Sequence, residues 1–329
     1  MHGLRITSEI ALDSSDGIGL ASSDLVIRRG GSPGDLAGPP EGMIVASWAF
    51  PSGEPYFDLA ARPGSYAVRF RHRCECVVSS DLGEVVVHPA QGLADDALAA
   101  LVAGTTLASL LNLAGHLVFH ASAFVLGPSS GRPTAVGVLG ESGAGKSTFV
   151  ALACAAGAVF LADDALRVDT DASLPVARAG HSEVRLRRPI CEGVHALFAL
   201  PPPARLTSDD RLAVRLGTGE CDRVPLGSCV VLRQRRDLTR PVVTTLAPPD
   251  ALLALARSPR VVAWHNRTCL AQHFTGATQI ARTVPVLQLD LPVAEAPSLD
   301  VVREALELLE QHRVATETAE PGPLRGAPS

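Results

Sequence analysis

The chain has 329 residues, enough for one large domain or two modest ones, and its 47% hydrophobic and 19% charged content describes a well-buried globular protein. A net charge of −5 excludes a general nucleic-acid binder, because phosphate contacts need a basic face; the short basic run 233–236 reads as a solvated strand end. The seven cysteines are scattered and no apolar run follows Met1 to Arg5, so the expected setting is reducing, without a signal peptide, in the cytoplasm.

In chain order, residues 1–92 read as a β-rich N-terminal region. Strands are expected at Leu4–Ile10, Leu25–Arg28, Met43–Ala49, Tyr56–Leu59, Tyr66–Arg71, Cys76–Ser79 and Glu84–His88, separated by Gly- and Pro-containing turns. Cys74 and Cys76 are assigned to opposite faces of their strand, and no second cluster with metal-ligand spacing accompanies them. Asp95 to Gly115 reads as a helix capped by Asp95 or Asp96; its apolar stretch carries Thr105, Ser109, Asn112 and His116, which fits a buried helix and not a membrane span. Leu117–Leu126 follows as one strand, with His120 and Ser122 on the same side. His120 alone reads more readily as a core histidine than as a site residue.

Ala135–Leu139 is a buried strand that leads into Gly140-Glu141-Ser142-Gly143-Ala144-Gly145-Lys146-Ser147-Thr148, a full match to the P-loop pattern. Glycines let such a loop curl its backbone N–H groups toward phosphate oxygens, the lysine reaches the β and γ phosphates, and the Ser147 hydroxyl suits Mg²⁺. The helix that follows, to Ala156, puts its positive end behind the phosphates. Lys146 is the only lysine in the chain; every other basic side chain in the Lys+Arg count of 29 is arginine. A planar guanidinium cannot stand in for a compact ammonium inside a ring of amides.

Ala158–Ala162 is expected to lie beside the P-loop strand and ends in Asp163-Asp164. One of these aspartates suits Mg²⁺ and the other suits general-base work on an attacking hydroxyl; Ser147 and Asp164 are taken as the metal pair, with Asp163, Asp164, His120 and Lys146 as the catalytic set. Leu166–Asp169 is expected to pair back on that strand. A short strand at Val184–Leu186, a helix at Cys191–Leu200 and a loop from Pro201 to about Arg223 follow. Beyond lie a strand at Leu226–Leu232, helices at Asp250–Ala256 and Val261–Arg282, a strand at Val284–Leu291 and a helix from Ser298 to about His312. Residues 93–314 read as the P-loop domain and 315–329 as a disordered tail.

Three motifs together, Leu117 to Ala123, Gly140 to Thr148 and Phe160 to Asp164, resemble the catalytic domain of the HPr kinase/phosphorylase superfamily, in particular its serine-kinase-like branch that includes enzymes modifying lasso peptide precursors. The resemblance implies an α/β fold with a mixed sheet, like that of HPr kinase and phosphoenolpyruvate carboxykinase. It also implies ATP and Mg²⁺ as cofactors, with participation of His120, Asp163 and Asp164. The function expected is transfer of a γ-phosphate to a hydroxyl, serine first, on a peptide, a protein or a small molecule. The alternatives are a small-molecule kinase of a biosynthetic pathway and a nucleotide-binding regulator without transfer. A homo-oligomer is left open; nucleic acid and membrane are not expected partners.

Overall fold

The computed structural model describes residues 1–12, 23–127, 132–172, 174–188, 190–217, 222–293 and 298–318. Seven strands form the N-terminal sheet: β1 (Ile6–Ser8), β2 (Leu25–Arg29), β3 (Met43–Ala49), β4 (Pro55–Arg62), β5 (Ser65–Phe70), β6 (Cys74–Ser79) and β7 (Glu84–Pro89), in the order β1-β2-β7-β6-β5-β4-β3. One face buries Leu25, Ile27, Leu59, Val68, Phe70, Val85 and Val87 against a helical run. That run is α1 (Asp95–Leu101), one π-helical segment (Val102–Thr106) and α2 (Leu107–Leu113). It has the length and apolarity to cross a membrane, yet its Leu98, Val102, Leu107 and Leu111 sit in the core beneath the sheet. Cys74 and Cys76 both lie on that buried face, which corrects their assignment to opposite faces: positions two apart on a strand point the same way. The helix cap is also corrected. Ala94 is the N-cap and has no side-chain bond, while Asp95 pairs with Arg29 and Asp96 accepts from Ser208.

The chain then builds a second sheet from β8 (Leu117–Phe119), β9 (Ser122–Leu126), β10 (Thr134–Leu139), β11 (Val159–Ala162), β12 (Leu166–Asp169), β13 (Val176–Arg178), β17 (Arg223–Arg235), β18 (Val242–Thr245) and β19 (Val286–Pro292). Between them comes a three-stranded sheet of β14 (Glu183–Arg187), β15 (Ala204–Leu206) and β16 (Arg211–Arg215), with α4 (Ile190–Ala196) inserted. On one side of the nine-stranded sheet lie α5 (Pro248–Ala256) and α6 (Arg267–Thr283), burying Leu255, Ala277 and Ile280. On the other lie α3 (Lys146–Ala155), α7 (Leu299–Thr318) and the small sheet, burying Phe149, Val150, Val184, Val302 and Leu309. The molecule is therefore a mixed α/β structure with several mixed sheets: β10 runs parallel to β17 and antiparallel to β9.

Several sequence expectations change. β11 does not lie beside β10; the order is β11-β9-β10-β17. β9 and β10 are consecutive and close as an antiparallel pair, β17 takes the other edge of β10, and β11 is left the free edge of β9. β12 does not return on β11 but pairs with β8 and β13. The expected single strand 117–126 is two, because β8 and β9 belong to different parts of the sheet. The expected loop 201–223 contains β15 and β16, whose arginine-rich sequence hides the strand pattern. Residues 261–266 precede α6 without being helical, since Ala46 and Trp264 form a β-bridge there. α7 continues to Thr318, so only 319–329 of the expected tail lies outside the described residues.

Candidate active site

The sheet opens where the chemistry gathers. β8 stays with β12 and β9 with β11, so the two connections, His120-Ala121 and Asp163-Asp164-Ala165, face each other across a split. The Ala165 N–H donates to the Asp163 carbonyl at 2.8 Å, and Asp164 between them has φ +68°. This is a γ-turn of the rare positive-φ kind, a strained conformation that Asp tolerates better than most residues. Backbone strain of this sort persists only where the surroundings hold it. Here the holding groups are visible: His120 Nδ1 lies 3.2 Å from Asp164 Oδ1 and 3.3 Å from its carbonyl oxygen, and an Arg260 NH2 donates to Asp164 Oδ2 at 2.7 Å.

Asp163 faces the P-loop side. Its Oδ1 accepts from Ser122 Oγ at 2.6 Å and from Ser147 Oγ at 2.8 Å, and its Oδ2 accepts from the Arg185 N–H at 3.3 Å. The P-loop itself turns on Gly140, which has φ +147°; a Cβ there would meet the Leu232 carbonyl oxygen of β17 at 2.9 Å. The Lys146 ammonium is buried and donates to the carbonyls of Gly140 at 2.8 Å and Glu141 at 3.1 Å. Glu141, Ser142, Gly143, Ala144, Gly145 and Thr148 line the same cleft, which has a volume of about 1160 Å³.

The two carboxylates are driven apart in proton affinity. Burial pushes Asp163 above the ordinary carboxylate range, the negative Asp164 adds to this, and the hydroxyl donors only partly offset it. Asp164 is half exposed; desolvation inside the cleft pushes it up as well, but Arg260 and His120 outweigh this and hold the group well below that range. Burial also lowers Lys146, against the pull of Asp164 and Asp163.

His120, Lys146, Ser147, Asp163 and Asp164 thus come together in one cleft. The hydroxyl of Ser147 meets Asp163, whereas Asp164 was its expected partner in holding metal. Three contributors escaped the sequence reading. Ser122 was legible as a neighbour of His120, two residues away on one face. Arg260 was not, because it reaches Asp164 across 96 residues of sequence. Gly104 sits in the π-helical segment, and a Cβ there would come within 3.1 Å of the Arg260 NH2 and 3.5 Å of Asp164 Oδ2. π-helical segments recur at functional sites.

No family model matches the sequence, and no curated protein matches it. Among solved structures, the chain is similar to the Hpr(Ser) kinase/phosphatase from Coxiella burnetii, at 11% identity and a TM-score of 0.32, over 61% of this chain and 98% of that chain.

Proposed function

We propose that the protein is an ATP- and Mg²⁺-dependent kinase that phosphorylates a hydroxyl, serine first, in the manner of HPr-kinase-like serine kinases. One observation carries this reading: the Ser147 hydroxyl of a complete P-loop is bonded to one carboxylate of an aspartate pair whose other member faces away toward the open cleft. The donor set fits Mg²⁺. Ser147 Oγ and Asp163 Oδ1 are hard oxygens 2.8 Å apart, and Mg²⁺ ordinarily takes one or two such protein ligands and completes its shell with water and phosphate oxygens. When bound, Mg²⁺ neutralises charge on the transferring phosphate.

The chain's own groups supply the rest. Lys146 exchanges its two loop carbonyls for β- and γ-phosphate oxygens. Asp163 stays on the Ser147 side. Asp164 is exposed enough to meet an incoming hydroxyl and, kept ionised by Arg260 and His120, accepts its proton as the oxygen attacks the γ-phosphorus in line and the bond to the β,γ-bridging oxygen breaks, releasing ADP. His120 and Arg260 orient that carboxylate. The mixed sheet, with β9 between the P-loop strand and the aspartate strand, is consistent with a carboxykinase-like core.

The deciding experiment is transfer from radiolabelled ATP to candidate hydroxyl acceptors by wild type, Asp163→Asn and Asp164→Asn. Both variants are expected to lose on the order of 10²-fold or more in kcat; undiminished transfer in both removes the mechanism.

A further inference from the structure

The small sheet has two unlike faces. Val184, Leu186 and Val214 point into the core. The pairing register puts Arg187 opposite Arg211, Glu183 opposite Arg215, and Arg185 and Arg205 on either side of Ala213. The outward face therefore carries five guanidinium groups, with Glu183 and the turn residue Asp209 as the carboxylates among them. This is a concentrated basic surface on a chain whose net charge is −5.

Its position makes it more than a solvated face. Arg185, Arg187, Arg205 and Arg211 line the same cleft as the aspartate pair. β14 touches the reacting end at its middle residue, where the Arg185 N–H donates to Asp163. Arg185 Nε is buried and has no hydrogen-bond partner, and among the described residues Arg187 has no acidic partner within 4.0 Å. Arg185 and Arg205 flank Ala213 on the outer strands and are both paired, Arg205 reaching across the middle strand to Glu183 at 2.8 Å and Arg185 meeting Asp209 at 2.7 Å, so an incoming carboxylate exchanges for these partly exposed pairs and meets Arg187 directly.

We propose that this face docks an acidic stretch of the acceptor, so that the substrate class is a peptide with Asp or Glu close to the target hydroxyl. The proposal rests on the kinase reading and names the acceptor side of that site. With a rise of about 3.3 Å per residue, carboxylates two to four residues from the hydroxyl reach Arg185 and Arg187 when the hydroxyl is at Asp164. Charge complementarity here serves selection and encounter rate.

The test uses the full chain and fluorescein-labelled peptides with one serine flanked by Glu, Gln or Lys, read by anisotropy at low salt and by phosphate transfer with ATP–Mg²⁺. The Glu peptide is expected to bind at least about tenfold tighter than the Gln peptide, with the Lys peptide weakest, and the preference to fade as salt rises. Arg187→Glu with Arg205→Glu should erase the preference, Arg187→Gln with Arg205→Gln should reduce it, and the thermal shift given by ATP–Mg²⁺ should stay as in wild type, which also shows that the variants fold. Equal binding of Glu and Gln peptides overturns the proposal, as does an effect of the Arg variants on ATP alone, or displacement of the Glu peptide by a short oligonucleotide at lower concentration than by unlabelled Glu peptide. Glu-selective binding without any transfer supports the docking face and sinks the kinase reading. Transfer without Glu selectivity does the reverse.

Discussion

Asp163 and Asp164 are neighbours with opposite consequences for stability. Asp163 is raised in the folded state, so its ionised form costs stability at any pH well above that value. Asp164 is depressed, so its contribution is present above the ordinary carboxylate value near 4 and is lost as pH falls below it. Asn can still accept the Ser122 and Ser147 bonds at one oxygen, and gives up only the long bond from the Arg185 N–H at 3.3 Å. Asp163→Asn is therefore expected to raise Tm at pH 7, by roughly 1–3 °C, while removing activity, the trade-off of a site built for chemistry. Asp164→Asn should lower Tm at pH 7, because it leaves Arg260, whose Nε is already without a partner, beside a neutral amide. Scanning calorimetry of both variants from pH 3 to 8 checks this. The Asp163→Asn gain should vanish at the acid end, where wild-type Asp163 is itself protonated, whereas the Asp164→Asn deficit should only begin to narrow there, because folded Asp164 stays ionised well below the ordinary carboxylate range. Two shifts of the same sign at pH 7 would contradict the assignment. At this scale the sequence was informative wherever a motif is contiguous: Gly140 to Thr148 and the aspartate pair needed only local reading. Which aspartate meets Ser147 was not legible, because it depends on the φ of +68° at Asp164 that turns its side chain away.

The elements explain how that turn is held. Strand positions in chain order were largely readable from alternation and turn residues, but partners were not. β9 between β10 and β11, and β12 on β8, follow from competition for strand edges over distances that no local window contains. The π-helical segment is the clearest unread feature, since Val102 to Thr106, though rich in poor helix formers, lies inside a longer apolar run that reads as one helix. Its Gly104 lets Arg260 and Asp164 come close, so bulk there should act on catalysis through position. In the transfer assay, kcat should fall in the order Gly104, Gly104→Ala, Gly104→Val. The valine variant should lose at least about tenfold, since a displacement of about 1 Å can cost on the order of 10²-fold. An unchanged kcat in Gly104→Val would remove Arg260 from the positioning of Asp164.

Across the whole molecule, the N-terminal sheet is structurally committed to the site. Edge strand β3 bridges Ala46 to Trp264, and His265 N–H donates to the Val45 carbonyl at 2.7 Å, just beyond the loop that carries Arg260. Tyr56 lies close enough to Arg260 and Asp164 to feel both charges. At the far side, Asp96 accepts from the Ser208 N–H at 2.7 Å and ties α1 to the arginine sheet. The helical run 95–113 shares its core with the seven strands, so a chain starting at residue 93 exposes Leu98, Val102, Leu107 and Leu111. Such a truncation is expected to aggregate on size-exclusion chromatography; a monodisperse, ATP-binding fragment would show that the first 92 residues are dispensable. The burial of Lys146 has a practical corollary, because no other lysine exists in the chain. A lysine-specific protease has one bond to cut, after residue 146 of 329, in the first turn of α3. Cleavage there requires the phosphate cradle to open, so the loss of the full-length band to two fragments becomes a clock for the opening of the nucleotide site, with the rest of the polypeptide silent.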